Sequence, residues 1–126
     1  MSGAAMQQKR KTLGLRIAQE DAQPGLDTAA ARIVREAITR KLCVAIVYNR
    51  TPMTMAPHII YTRHDEPFVD GVVIEREGKP PRELKLGTFK LAGLSGVTLT
   101  PVTFAVQPLY EAANARYEGV TLYKVT

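Results

Sequence analysis

From Leu26 onward the apolar positions of the chain follow first one period and then another. Ala30, Ile33, Val34, Ala37 and Ile38 recur at spacings of three and four, the stripe of an amphipathic helix, and Asp27 stands where an N-cap belongs. The pattern predicts a helix over residues 27–41. Arg32 with Glu36, and Glu36 with Arg40, fall four apart on its polar face, as expected of an exposed helical surface. After Lys41 the period shortens. LCVAIVYN (42–49) is apolar and β-branched on both faces and predicts a central strand. Asn49-Arg50-Thr51-Pro52 then reads as a turn, followed by a strand over 54–63. Pro57 lies inside that strand and has no N–H for a ladder, so an edge, bulge or bend is expected there.

His64-Asp65-Glu66-Pro67 predicts a second turn, and 68–77 its hairpin partner strand. EGKPPR is a third turn, followed by a strand over 82–94 in which Gly87 marks a bend. GVTLTPVTF is a candidate short strand. PLYEAANARYEG, opened by Pro108 and closed by Gly119, predicts a two-turn helix, and VTLYKV (120–125) a last strand and the natural sheet edge. Before Leu26 periodicity is weak and ends in Gln23-Pro24-Gly25. The expected organisation is a basic flexible arm over 1–25 and one domain over 26–126. That domain is mainly β with an N-terminal helix, its short bent antiparallel strands making a small barrel completed by a short C-terminal helix and strand.

The chain has 126 residues, enough for one domain with a real core. Its apolar runs fall short of the roughly 18 residues a membrane span needs, so no membrane partner is expected. Basic residues near the start are not followed by the apolar segment of a secretory signal, and Cys43 is the single cysteine. A cytoplasmic protein without a disulfide framework is the expectation. The net charge is +5, and it is uneven: residues 1–41 carry 8 Lys or Arg against 4 acids, the rest 9 against 8. A basic first third favours polyanionic partners.

With the elements placed, REAITRKLCVAIVY, MAPHII and RELKLGTFKL resemble the WYL domain, a bacterial module of Sm-like, SH3-type barrel architecture preceded by a helix. Ile46 and Tyr48 match its Ile-x-Tyr strand end, Pro57 and Ile60 its proline and following strand, and Arg82 the arginine of its later strand. The likeness spans residues 28–94, with Pro67-Phe68-Val69 standing where the family carries Trp-Tyr-Leu. The resemblance implies a ligand- or nucleic-acid-sensing regulatory module.

The segment MTMAPHIIYTRHDEPFVDGVVIERE concentrates the candidate chemistry. His58, His64, Asp65, Glu66 and Asp70 are the metal or acid–base candidates, but their spacing matches no ligand pattern, and the acids read as serving a solvated hairpin turn. Cys43 opens an apolar strand and reads as a small buried hydrophobe, and Ser95 lies in a turn. No nucleophile with a base is in evidence, so no catalytic residue, metal or cofactor is expected. The better candidate is a groove lined by Tyr48, Arg50, His58, Tyr61, Arg63, Phe68, Arg82 and Lys85. Aromatic faces interleaved with basic groups suit single-stranded nucleic acid, where stacking supplies about 1–3 kcal/mol per base. The expected function is a non-enzymatic module binding single-stranded nucleic acid or an anionic, nucleotide-like small ligand. The alternative is an adaptor acting through a protein partner, by homo-oligomerisation or strand-edge pairing.

Overall fold

The computed structural model describes residues 25–126. One helix, α1 (Ala29–Arg40), precedes six strands: β1 (Leu42–Tyr48), β2 (Thr51–Arg63), β3 (Glu66–Arg76), β4 (Leu86–Lys90), β5 (Ser95–Thr103) and β6 (Thr121–Lys124). The expected arm over 1–25 falls, except for Gly25, outside the described residues.

Helix α1 starts one residue later than its composition suggests. Thr28, not Asp27, is the cap: its backbone is extended and its Oγ1 accepts from the Ala31 N–H at 3.1 Å. The Asp27 carbonyl instead accepts from the Arg32 guanidinium. At the other end Lys41 adopts a left-handed conformation (φ 54°), turning its N–H back onto the last carbonyls and sending the chain straight into β1. The inward stripe is Ala31, Val34, Ala37 and Ile38, all buried, with Ala30 and Ile33 at its margin. Burying Val34 and Ile38 contributes about 1.5–3 kcal/mol each, and a charge at Val34 would undo the packing.

The strands form one antiparallel sheet in the order β4-β3-β2-β1-β5, with β6 also paired to β2. The pivot is β2, 13 residues long. Its first half lies against β1, from Thr51 opposite Tyr48 to Met55 opposite Val44. Its second half lies against β6, from Ile59 opposite Lys124 to Tyr61 opposite Thr121. The change of partner falls at Pro57, where the register against β3 also slips by a residue before Ile59. Proline supplies no N–H, so the strand lets go of one neighbour there and takes up the next. On β3 the crossing requires Gly71: a Cβ there would come 2.6 Å from Met55 Sδ and 2.8 Å from the Ala56 carbonyl.

The β1–β2 and β2–β3 hairpins close on two residues each, both with positive φ: Asn49 and Arg50 (50° and 65°), and His64 and Asp65 (52° and 65°). This backbone matches the right-handed strand twist even though none of the four is glycine. Pro52 and Pro67, expected in the turns, are instead strand residues, opposite Val47 and Thr62.

The strand expected over 82–94 is confined to β4, because Leu91–Gly93 form a 3-10 turn that carries the chain from the outer edge of β4 to β5 beside β1. The sheet therefore curls until its two outermost strands are joined by a short turn, though no ladder joins them and the sheet is unclosed. Tyr48 packs in the gap, its ring edge-on to Phe89 at 5.0 Å and its hydroxyl accepting from the Lys90 N–H at 3.4 Å. The two-turn helix expected over 108–119 is absent: the segment is a series of turns with one 3-10 turn, Ala115–Tyr117, capped by Asn114 Oδ1. Its buried tyrosines are claimed by the sheet, and that tertiary pull overrides local helix propensity.

Candidate functional site

The eight residues of the expected groove do not share one surface. His58 and Tyr61 are wholly buried, and Tyr48 and Phe68 are half-buried. Arg63 lies over the Phe68 ring at 5.2 Å, and Phe68 contacts Tyr61 at 6.4 Å between centroids, so these three form one local stack. Arg50 stands at a hairpin tip, and Arg82 and Lys85 on the β3–β4 connection. All three are exposed, with no side-chain hydrogen bond or ion pair among the described residues. Tyr61, two residues before Arg63 on β2, is buried while Arg63 is exposed, and both meet the Phe68 ring.

The buried Tyr61 hydroxyl meets Asp70. This carboxylate, expected to serve a turn, lies fully buried in mid-β3 and is bound on both oxygens. Its Oδ1 accepts from the hydroxyls of Tyr61 (2.7 Å) and Thr88 (2.8 Å), its Oδ2 from Tyr117 (2.6 Å) and Arg116 (3.1 Å). Four donors, one of them a cation, replace the water a buried carboxylate loses. Burial, then the bond to the carboxylate, raises the pKa of both Tyr61 and Tyr117 above the ordinary tyrosine value. The nearby Tyr110 hydroxyl, raised by burial and by the Asp70 charge, is buried without a hydrogen-bond partner among the described residues. The signal in the sequence was a charged residue with no polar neighbour inside the run from Phe68 to Val73; its partners lie up to 47 positions away.

His58 sits where β2 changes partners. Its Nδ1 pairs with the Ala56 carbonyl at 2.9 Å and its Nε2 accepts from the Gln107 N–H at 3.1 Å, which makes the neutral ring protonated on Nδ1. Phe104 and Tyr110 flank the ring at 5.0 and 5.3 Å. Burial lowers its pKa below the ordinary histidine value. It is a packing and latching residue for the C-terminal segment rather than a ligand to anything in solvent.

The open polar site lies elsewhere, between the outer face of α1 and β6. A groove of about 330 Å³ is lined by Arg32, Arg35, Glu36, Thr39, Arg40 and Tyr123. The expected pair of Glu36 with Arg40 is present at 3.1 Å, but Arg32 turns to the Asp27 carbonyl instead of Glu36. Three cations therefore face one acid. Arg35 lies 5.0 Å over the Tyr123 ring and has no carboxylate partner among the described residues. The ring is held in place: Thr39 Oγ1 donates to the Arg35 carbonyl at 3.0 Å, which leaves it to accept from the Tyr123 hydroxyl in a short hydrogen bond. Such a groove, with planar forks and little competing acid, suits a phosphate or carboxylate oxygen.

Burial raises the pKa of Cys43, which keeps its thiol protonated, and the Ser95 hydroxyl only reaches the Val47 carbonyl. Among the described residues no cluster of three or more His, Cys, Asp or Glu side chains could hold a metal ion, and no helix is long and apolar enough to cross a membrane. Compared with protein-family models, curated proteins and solved structures, the chain finds no match.

Proposed function

We propose that the protein is a non-enzymatic binding module for phosphate-bearing ligands, single-stranded nucleic acid first among them, with the groove between α1 and β6 as its docking site. The observation that carries this reading is Arg35, held over Tyr123 between Arg32 and Arg40, with Glu36 the one acid among the described residues that line the groove. The basic residues that precede the helix in sequence, Lys9, Arg10, Lys11 and Arg16, add charge of the same sign to the chain.

The groove reads phosphate more than base, because Arg35 already covers one face of the Tyr123 ring and the ring packs against the core. A long β2 shared by β1 and β6, and outer strands joined by one 3-10 turn, support a small barrel of the Sm-like or SH3-type kind. That architecture agrees with the WYL resemblance and with a sensing role in regulation inside the cytoplasm. In this reading no cofactor takes part, and Arg50, Arg63 stacked on Phe68, Arg82 and Lys85 add basic charge at separate points of the surface.

Fluorescence anisotropy with labelled single-stranded DNA and RNA at two salt concentrations tests the reading. Replacing Arg32, Arg35 and Arg40 by alanine should weaken binding at least tenfold and flatten the log–log salt slope by about 2, the share of three phosphate contacts on a single strand. Equal binding by that variant would rule the groove out. A loss seen only when Lys9, Arg10, Lys11 and Arg16 become glutamine would assign binding to the N-terminal charge, and a loss confined to Arg63, Arg82 and Lys85 variants would assign it to those residues instead of the groove.

A further inference from the structure

The polar lining of the arginine groove sorts into donors and acceptors. The guanidiniums of Arg32, Arg35 and Arg40 only donate. Thr39 and Tyr123 have their hydroxyl protons committed, Thr39 to the Arg35 carbonyl and Tyr123 to Thr39 Oγ1, so their oxygens are left to accept. Glu36 is an acceptor with one oxygen to spare. Its Oε2 takes the Arg40 guanidinium at 3.1 Å, and Oε1 has no hydrogen-bond partner among the described residues. The side chain is half exposed and lines the groove, within reach of whatever the arginines hold.

A ligand made of phosphates alone has no use for that acceptor, since a carboxylate repels a phosphate oxygen. As a helix contact the Glu36–Arg40 pair is exposed and of small value, and it occupies one oxygen of two. The position of Glu36 is more telling. It stands four residues from Arg32 and four from Arg40, one helical turn each way, or about 6 Å of axial rise. The order along α1 is cation, acceptor, cation. A ribonucleotide strand presents the complementary order of phosphate, 2′-hydroxyl, phosphate, and deoxyribose has no donor at that place. Base donors lie across the glycosidic bond, away from the phosphates, and Arg35 already covers the ring on which a base would stack.

We propose that the groove selects RNA over DNA, with Glu36 as the specificity-determining residue. Its Oε1 accepts the proton of a ribose 2′-hydroxyl while Arg32 and Arg35 on one side and Arg40 on the other hold the flanking phosphates. Arg40 stays on Oε2 and orients the carboxylate. A hydroxyl bound to an ionised acceptor makes a stronger bond than one bound to a neutral group, which lets a single contact discriminate. The inference rests on the nucleic-acid reading of the same groove.

The test is anisotropy on the full chain with three labelled single strands of one sequence: RNA, DNA carrying uracil in place of thymine, and 2′-O-methyl RNA, which keeps the 2′ oxygen and lacks its proton. RNA should bind at least about fivefold more tightly than the other two. Glu36→Ala, at an exposed position, should leave the melting temperature unchanged and tighten DNA binding, because a negative charge is gone and Arg40 is released. The preference for RNA should vanish with it, and Glu36→Gln, which retains a carbonyl acceptor, should keep part of it. Equal binding of RNA and DNA by the wild type overturns the proposal, as does 2′-O-methyl RNA bound as tightly as RNA, or a preference that survives Glu36→Ala. If replacing Arg32, Arg35 and Arg40 by alanine still abolishes binding in those cases, the groove stands and Glu36 selectivity alone falls. If that variant binds like the wild type, both fall.

Discussion

Two clusters in this protein combine an arginine with a tyrosine, and they have opposite fates. At Asp70 the arginine, Arg116, joins Thr88 and two tyrosines in donating to a carboxylate that has no contact with water. At Tyr123 the arginine, Arg35, has a ring but no acid among the described residues. The first cluster is spent on holding the C-terminal segment to the sheet; the second keeps its hydrogen-bonding capacity for something else. Residue types alone do not separate a structural network from a binding site. What separates them is whether the donors are already matched.

The comparison can be broken most decisively at Asp70. Asp70→Ala leaves buried hydroxyls and a guanidinium without their acceptor and should cost about 3–5 kcal/mol in urea denaturation; a loss below 1 kcal/mol would mean that the network is not what holds the segment. Next comes Tyr117→Phe, which removes one hydrogen bond to a charged group, expected at about 1.5–3 kcal/mol. It should also change the alkaline limb. Tyr61 and Tyr117 keep their protons in the folded state at pH values where the unfolded chain ionises near 10, so their contribution is whole below pH 10 and is lost as pH rises beyond it. Stability–pH curves of Tyr117→Phe should fall less steeply there.

Gly71→Ala, which crowds Met55 and the Ala56 carbonyl, should destabilise by about 1–3 kcal/mol through overpacking and leave the pH dependence unchanged. His58 sharpens the acid side. Its pKa is lowered in the fold, so as pH falls through 6.5 the unfolded state takes up a proton that the folded state refuses, and stability declines. His58→Gln, which retains an acceptor for the Gln107 N–H, should flatten that decline. The smallest effect on stability belongs to Arg35→Ala, within about 0.5 kcal/mol. Its effect should appear in nucleic-acid anisotropy instead, and a large loss of stability would place Arg35 with the structural cluster.

Much of the architecture was legible before any coordinates. The stripe from Ala30 to Ile38, the apolar run 42–49 and the proline inside 54–63 predict the helix, the central strand and the bend, because period and proline chemistry act locally. The candidate site was less legible. Tyr61 and His58 read as members of an aromatic, basic surface because strand alternation says which residues share a face, and says nothing of which face is inside once a strand changes neighbours. The helix 108–119 failed for a related reason: its local signals compete with Asp70 and His58, far away in sequence.

The sequence by itself determined where the chain becomes helical, where it turns to strand and where β2 must let go of a partner, since these follow from side-chain period, capping and a missing N–H. It also determined the charge distribution: a basic first third and an uncharged stretch after Lys90. Only the tertiary structure decided that Asp70 is buried and matched while Arg35 is exposed and, among the described residues, without a carboxylate. That outcome depends on which donors reach a charge across long sequence separations, and on the water their approach excludes.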